Sequence, residues 1–192
     1  MERDTRWDER ALAALSEQLS AAGAHFELVV VGGSALVALG LVERATRDVD
    51  VVGVLTEGGL SSSEPLPEGL ATAVARVARD LGLPADWLNA GPSALLDLGL
   101  PQGFLDRAHR VEIGRGLVVF YADRYDQIHL KLYAMVDQAG GRHEEDLRAL
   151  TPTPEELLTA ARWTTSHDPS IGFRQQLLIA LGRLGVDGAT LE

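Results

Sequence analysis

The chain has no cysteine. That alone excludes disulfides and thiolate–metal sites, and makes a reducing compartment, the cytoplasm, the expected setting. It has almost no lysine: sixteen of its seventeen basic residues are arginine, and Lys131 stands alone. Positive charge is scarce altogether, and the formal net charge is −11. A surface this acidic repels phosphate backbones, which excludes a broad, non-specific grip on nucleic acid but leaves room for a local basic patch or a small nucleotide. No apolar run approaches the roughly 20 residues of a membrane helix, so no membrane partner is expected. The N-terminus, Met1-Glu2-Arg3-Asp4, is charged and leads into an amphipathic segment, unlike a signal peptide.

What is present suits one globular domain with room for a small appendage. The length is 192 residues, enough for a hydrophobic core, and charged residues make up 23%, an ordinary share. The arginine excess fits codon bias in a GC-rich genome. That bias does not explain why one lysine survives. A compact ammonium on a flexible stem suits a phosphate as a point charge, which marks Lys131 for attention; otherwise it is a solvated surface residue.

Hydrophobic periodicity sets out the elements. Ala11, Leu12, Leu15 and Leu19 predict an amphipathic helix over 7–22. Phe26 to Val31 reads as a buried strand, Ser34 to Leu41 as a short helix, and the valine-rich stretch Asp48 to Leu55 as a second strand. Residues 56–69, rich in Gly, Ser, Pro and Glu, predict a surface loop, and Leu70, Val74, Val77 and Leu81 a helix stopped by Gly82. Residues 84–108 have no clear period. Val111 to Ile113 and Leu117 to Tyr121 predict a hairpin about Gly114-Arg115-Gly116. Helices follow over 124–138 and 142–150, then one opened by the capping box of Thr153 and Glu156, then one striped by Phe173, Leu177, Leu181 and Leu184. Strands early and helices late predict an α/β (α+β) chain. Residues 1–122 would form a core with a small mixed sheet flanked by helices, and 123–192 a helical C-terminal part packed on it.

Two segments carry chemistry. In Val31-Gly32-Gly33-Ser34 a buried strand breaks at two glycines and a helix begins at a serine. Glycines let backbone approach a ligand closely, and Ser34 suits either a helix cap or a phosphate contact; plain turn chemistry accounts for the same residues. Neither the Walker spacing nor the dinucleotide-binding Gly-x-Gly-x-x-Gly spacing is present. In Arg44-Ala45-Thr46-Arg47-Asp48-Val49-Asp50-Val51, a strand would turn both aspartates to one face and the valines to the core. Paired carboxylates repel unless a cation lies between them, and Mg²⁺ favours one or two carboxylates plus substrate phosphates.

The order of apolar strand, Gly-Gly-Ser, short helix, Arg-x-Thr-x-Asp-x-Asp, then a Lys-x-x-Ala helix and a late Asp-Leu resembles the nucleotidyltransferase superfamily related to DNA polymerase beta. It is similar in particular to the minimal bacterial branch that includes AbiEii-type toxin nucleotidyltransferases. Ala85-Asp86-Trp87-Leu88-Asn89, and Ala161-Arg162-Trp163 with His167-Asp168-Pro169, resemble uncharacterised bacterial relatives of that branch. The resemblance implies a nucleotidyltransferase fold and transfer of a nucleoside monophosphate from an NTP to a hydroxyl on an RNA 3′ end, a protein or a small molecule. It implies nucleotide binding by Gly32, Gly33, Ser34, Arg44 and Thr46, Mg²⁺ held by Asp48 and Asp50, and a phosphate contact from Lys131. Relatives often carry a further acid that activates the attacking hydroxyl; Glu112 is the first candidate here and Asp86 the second. His143 stands three residues before Asp146, where many relatives have an acid. A catalytically inactive relative that binds a nucleotide or a cognate partner protein, including a toxin–antitoxin component, is the alternative.

Overall fold

A computed structural model of the protein describes residues 7–138 and 141–187. The charged start, Met1 to Asp4, lies outside them. The chain divides into two compact units, Met1–Ala122 and Asp123–Glu192. The first is a mixed sheet flanked by helices, and the second is helical.

In the first unit, helix α1 (Trp7–Ala21) is followed by strand β1 (Phe26–Val31), helix α2 (Gly32–Ala38), and strands β2 (Val49–Thr56) and β3 (Gly59–Ser62). Helix α3 (Glu68–Leu81), strand β4 (Leu88–Asn89), a 3-10 turn at Gly91–Ala94 and the one-turn helices α4 (Leu95–Leu98) and α5 (Phe104–Arg107) come next. The unit closes with β5 (His109–Gly114) and β6 (Leu117–Tyr121). Among the described residues the sheet has six strands, in the order β3-β2-β1-β6-β5, with β4 alongside β2. The pairs β1–β6 and β2–β4 are parallel; the other pairs are antiparallel.

One face of the sheet carries the core. Leu28 and Val30 of β1, Val49 and Val51 of β2, and Leu117, Val119 and Tyr121 of β6 pack with Leu12, Leu15 and Leu19 of α1 and Leu70, Val74 and Val77 of α3. These are the positions that the 2.0 and 3.6 periodicities single out. The alternation in β2 breaks once. The register with β1 shifts between Val29, opposite Gly53, and Val30, opposite Val51, so Val52 is the extra residue of a bulge and Val54 returns to the core face. Two buried serines brace this kink. Ser63 Oγ lies 3.1 Å from the Val51 carbonyl and Ser93 Oγ 3.1 Å from the Val52 carbonyl, and the two hydroxyls share a 2.6 Å hydrogen bond, so that one serine donates to the other and the other to its carbonyl.

Two expectations need correction here. Residues 56–69 are not all loop, because β3 pairs with β2 from Gly53–Ser62 to Thr56–Gly59. The Gly-Ser composition hid an edge strand that contributes little apolar surface. Helix α2 starts at Gly32, and its N-terminal flank at Val31 has no side-chain cap, so Ser34 sits within the first turn and does not cap it.

In the second unit, helices α6 (Arg124–Asp137), α7 (Arg142–Ala149), α8 (Pro154–His167) and α9 (Ile171–Arg183) follow one another. Asp123 caps α6 by accepting from the Tyr125 N–H at 2.8 Å, and Ser170 caps α9 by accepting from Phe173. The capping box of α8 forms as the sequence predicts, with Thr153 and Glu156 reciprocating. Glu156 also receives Arg124 Nη1 at 2.7 Å, and this hydrogen bond, before all else, holds its carboxyl below the ordinary carboxylate range.

Candidate active site

The site is built where β1 and β2 end side by side. Val31, the last residue of β1, lies opposite Asp50 of β2, and on the other side of β2 Asp50 lies opposite Asn89 of β4. Val49 and Val51 are fully buried in the core, so Asp50 between them is turned to the opposite face, and Asp48, one residue before the strand, shares its parity.

The glycine turn lies directly against these residues. Gly32 has φ +74°, the left-handed region that glycine tolerates at no steric cost, and a Cβ there would stand 2.5 Å from Asp50 Oδ2. A Cβ at Gly33 would stand 3.1 Å from both Arg44 Nη2 and Thr46 Oγ1. Gly32 therefore makes room for the Asp50 carboxylate, and Gly33 for the arginine and threonine. Ser34, 1% exposed, has an Oγ with no hydrogen-bond partner, although buried hydroxyls are normally satisfied. The expected residues Gly32, Gly33, Ser34, Arg44, Thr46, Asp48 and Asp50 thus occupy one end of two adjacent strands and the segments joined to them.

The loop between α2 and β2 is pinned from the core side. Trp7 Nε1 donates to the Thr46 carbonyl at 3.0 Å, and Thr46 Oγ1 donates to the Asp48 carbonyl at 3.0 Å. Trp7 meets Trp87 edge to face, with centroids 6.3 Å apart. Trp87 is fully buried, donates from Nε1 to the Val74 carbonyl, and accepts the Val49 N–H at its own carbonyl at 2.7 Å. The two tryptophans thereby fix β2 and its approach relative to α1 and α3. Composition does not reveal this, because a tryptophan reads as core whatever its indole N–H does.

The third-acid candidates lie elsewhere. Glu112 is opposite Val118 on β5, the far edge of the sheet, and pairs with Arg110 at 2.9 Å. It is three strands from Asp50, about 14 Å across the sheet at the usual spacing, and its row passes through Glu27 rather than Val31. The fold does not bring it to the pair, because the hairpin that carries it adds to β6 and not to β2. Asp86 is exposed in the turn before β4. The residue beside Asp50 is Asn89, whose Nδ2 donates to Asp50 Oδ1 at 3.1 Å. Among the described residues no cluster of three or more His, Asp or Glu side chains could hold a metal ion. A carboxylate pair remains a fitting set for a cation that also takes phosphate oxygens, and the buried Ser34 hydroxyl is a polar group left without a partner.

Lys131 belongs to the second unit. It is not a solvated surface lysine: its side chain is 7% exposed, and its Nζ donates to Asp146 Oδ2 at 2.7 Å, with Asp146 2% exposed. One helical residue of α6 and one of α7 thus form a buried ion pair, which periodicity alone does not disclose.

The Gly32 geometry makes a direct prediction. Gly32→Ala combines a left-handed backbone with a Cβ against Asp50 Oδ2, so we expect it to cost about 1–2 kcal/mol in backbone strain and to displace the carboxylate. Thermal denaturation reads the first effect. A melting temperature equal to wild type rejects the strain.

A strand that ends in Gly-Gly-Ser against the aspartate of the next strand is the order on which the sequence resembles the nucleotidyltransferases. The chain belongs to the family described as "Nucleotidyltransferase of unknown function (DUF6036)", whose model matches residues 10–149. That span includes the glycine turn, both aspartates, Asn89, Lys131 and Asp146. No curated protein matches the chain, and no solved structure does. Among the described residues no helix is long and apolar enough to cross a membrane.

Proposed function

We propose that the protein binds a nucleoside triphosphate with Mg²⁺ and transfers its nucleoside monophosphate to a hydroxyl. Family membership supports nucleotidyl transfer as the general chemistry. The single observation that carries the site reading is the contact of the glycine turn with the acidic strand: Gly32 leaves space for Asp50, and Gly33 for Arg44 and Thr46. In this reading Asp48 and Asp50 hold the cation. Gly32, Gly33 and Ser34 admit the phosphates, and Ser34 Oγ donates to a phosphate oxygen. Arg44 supplies further donors, and Thr46, whose hydroxyl donates to the Asp48 carbonyl, holds the loop that leads into the acidic strand. Lys131, paired with Asp146, is proposed as a phosphate contact on the sequence resemblance alone, and its substitution tests that role.

The acceptor hydroxyl would lose its proton to solvent, its oxygen would form a bond to the α-phosphorus, the bond from that phosphorus to the bridging oxygen would break, and pyrophosphate would leave. Mg²⁺, when bound, neutralises phosphate charge and lowers the pKa of the attacking hydroxyl. The chain's own residues position the triphosphate in line with the attack. We read RNA 3′ ends, protein side chains and small molecules as the acceptor classes to be tested. A cognate partner protein, as the similarity to AbiEii-type toxins implies, is part of the same proposal.

A second reading is favoured by one observation. The side chain that β4 sets against Asp50 is an amide, Asn89, and neither acid candidate, Glu112 or Asp86, makes that contact. A protein with that arrangement could bind nucleotide without turning it over. Incubation with each α-labelled NTP, Mg²⁺ and, in parallel, total RNA, a cell protein extract and a small-metabolite extract separates the two. Label on RNA or on protein with wild type, lost in Asp48→Ala, supports transfer. Saturable NTP binding with no label transferred to any acceptor class selects the binding protein.

The glycine turn supplies a further test. Gly33→Val places branched carbon where Arg44 and Thr46 now lie within 3.1 Å, so NTP affinity should fall about tenfold or more, equivalent to about 1.4 kcal/mol. Gly33 itself does not have positive φ, so the effect is one of space and not of backbone strain. Unchanged affinity in a titration would remove Gly33 from the phosphate site.

A further inference from the structure

Asn89 has an orientation that chemistry fixes. Its Oδ1 accepts the Gly91 N–H at 2.9 Å, and its Nδ2 donates to Asp50 Oδ1 at 3.1 Å. A backbone N–H can only donate and a carboxylate only accept, so the flipped amide would lose both bonds. Gly91 suits this closure, since a Cβ there would lie 3.0 Å from Asn89 Oδ1. The backbone does the rest: β4 runs parallel to β2 with Asp50 and Asn89 directly opposite. The group that β4 presents to Asp50 is therefore an N–H dipole with its positive end on the carboxylate.

We infer that Asn89 is a positioning residue that keeps the Asp48–Asp50 pair from taking a divalent cation on its own. The argument rests on the cation-site reading above. The amide N–H occupies part of Asp50 Oδ1, holds the carboxylate in one orientation, and offsets some of its charge. Mg²⁺ gives up its water reluctantly and requires near-octahedral oxygen ligands. Two carboxylates, one of them partly neutralised, fall short of that. Phosphate oxygens supply the missing ligands and charge, so the cation enters with the nucleotide. A carboxylate at position 89 would remove the donor and add a third negative oxygen ligand, while its remaining oxygen still accepts from Gly91. The substitution Asn89→Asp thus changes the donor and the charge and leaves the turn intact.

The test uses Mn²⁺ as the probe, with free Mn²⁺ counted by electron paramagnetic resonance on the full chain without nucleotide. Wild type should show no saturable binding, and Asn89→Asp should bind at least about tenfold more tightly, equivalent to about 1.4 kcal/mol. Without metal, Asn89→Asp should melt below wild type because three carboxylates then repel. Mn²⁺ should raise its melting temperature more than that of wild type. Saturable binding of Mn²⁺ alone by wild type overturns the inference, and that arm stands even if Asn89→Asp does not fold. Equal Mn²⁺ affinity in the two proteins overturns it as well. A parallel titration adds an equimolar mixture of the four nucleoside triphosphates. A gain in Mn²⁺ affinity for Asn89→Asp, with neither protein binding nucleotide, supports the role of Asn89 and overturns the nucleotide reading.

Discussion

Asp50→Ala is expected to lower Mg²⁺-dependent NTP affinity about a hundredfold, or about 2.7 kcal/mol, and to leave the fold intact. The carboxylate is half-buried at the start of β2, next to the turn at Gly32. Its loss removes one of the two proposed acidic ligands and leaves Asn89 Nδ2 without that acceptor, a cost of about 1 kcal/mol for a group still near solvent. Removing one of two like charges offsets part of that cost in the metal-free protein. Asp48→Ala should act in the same direction without disturbing Asn89. Asp50→Asn is the informative companion, because it keeps an acceptor for Asn89 and discards only the charge. Calorimetric titrations with and without Mg²⁺ read all three. Nucleotide affinity equal to wild type in both alanine variants would mean that the aspartates hold no cation for the nucleotide.

Lys131→Ala should destabilise the protein strongly, by about 3–5 kcal/mol, because it leaves the buried Asp146 carboxylate without its ammonium. A melting temperature lower by roughly 10 °C or more corresponds to that loss. The surface reading of this lysine predicts no change, so the two diverge by a wide margin. Replacing both partners with apolar residues of similar size, Lys131→Met with Asp146→Leu, should recover most of the stability, since the desolvation cost of the pair disappears with it. The double variant also isolates the proposed phosphate role. If it melts near wild type but binds NTP weakly, charge at position 131 serves the nucleotide. If stability and NTP binding both recover, the pair is structural. A Lys131→Ala protein that melts with wild type would contradict the buried pair itself.

Much of the architecture is legible because burial repeats at fixed spacing. Leu12, Leu15 and Leu19 announce α1, the valines of β1 and β2 announce the central sheet, and Thr153 with Glu156 announces a helix start. The short elements are not legible. β4 has two residues and β3 four, too few for a period to emerge, and both owe their place to β2 rather than to their own sequence. The candidate site divides in the same way. The glycine turn and the two aspartates are local in sequence, so spacing finds them. Asn89 is 39 residues from Asp50 and reaches it only through strand pairing, and Glu112 draws attention as an acid on a strand although that strand joins the wrong edge. Lys131 stands out by rarity, but its partner on the next helix becomes visible only once α6 and α7 are folded.

The bulge at Val52 divides β2 into two lengths with opposite sidedness. Upstream of it odd-numbered residues enter the core, and downstream even-numbered ones do. The reading frame of the strand therefore changes partway along, and Ser63 and Ser93 occupy the carbonyls on either side of the change. A single-residue deletion within 51–53 would remove the offset and force a choice: either the downstream half keeps its hairpin with β3 and Asp50 is drawn to the core face, or Asp50 stays outward and Val54 is driven to the other side. Length, more than residue identity, is what drift cannot alter here. Substitutions among valine, isoleucine and leucine in this strand should be interchangeable to a first approximation, whereas insertions and deletions should be absent from any functional lineage of this chain.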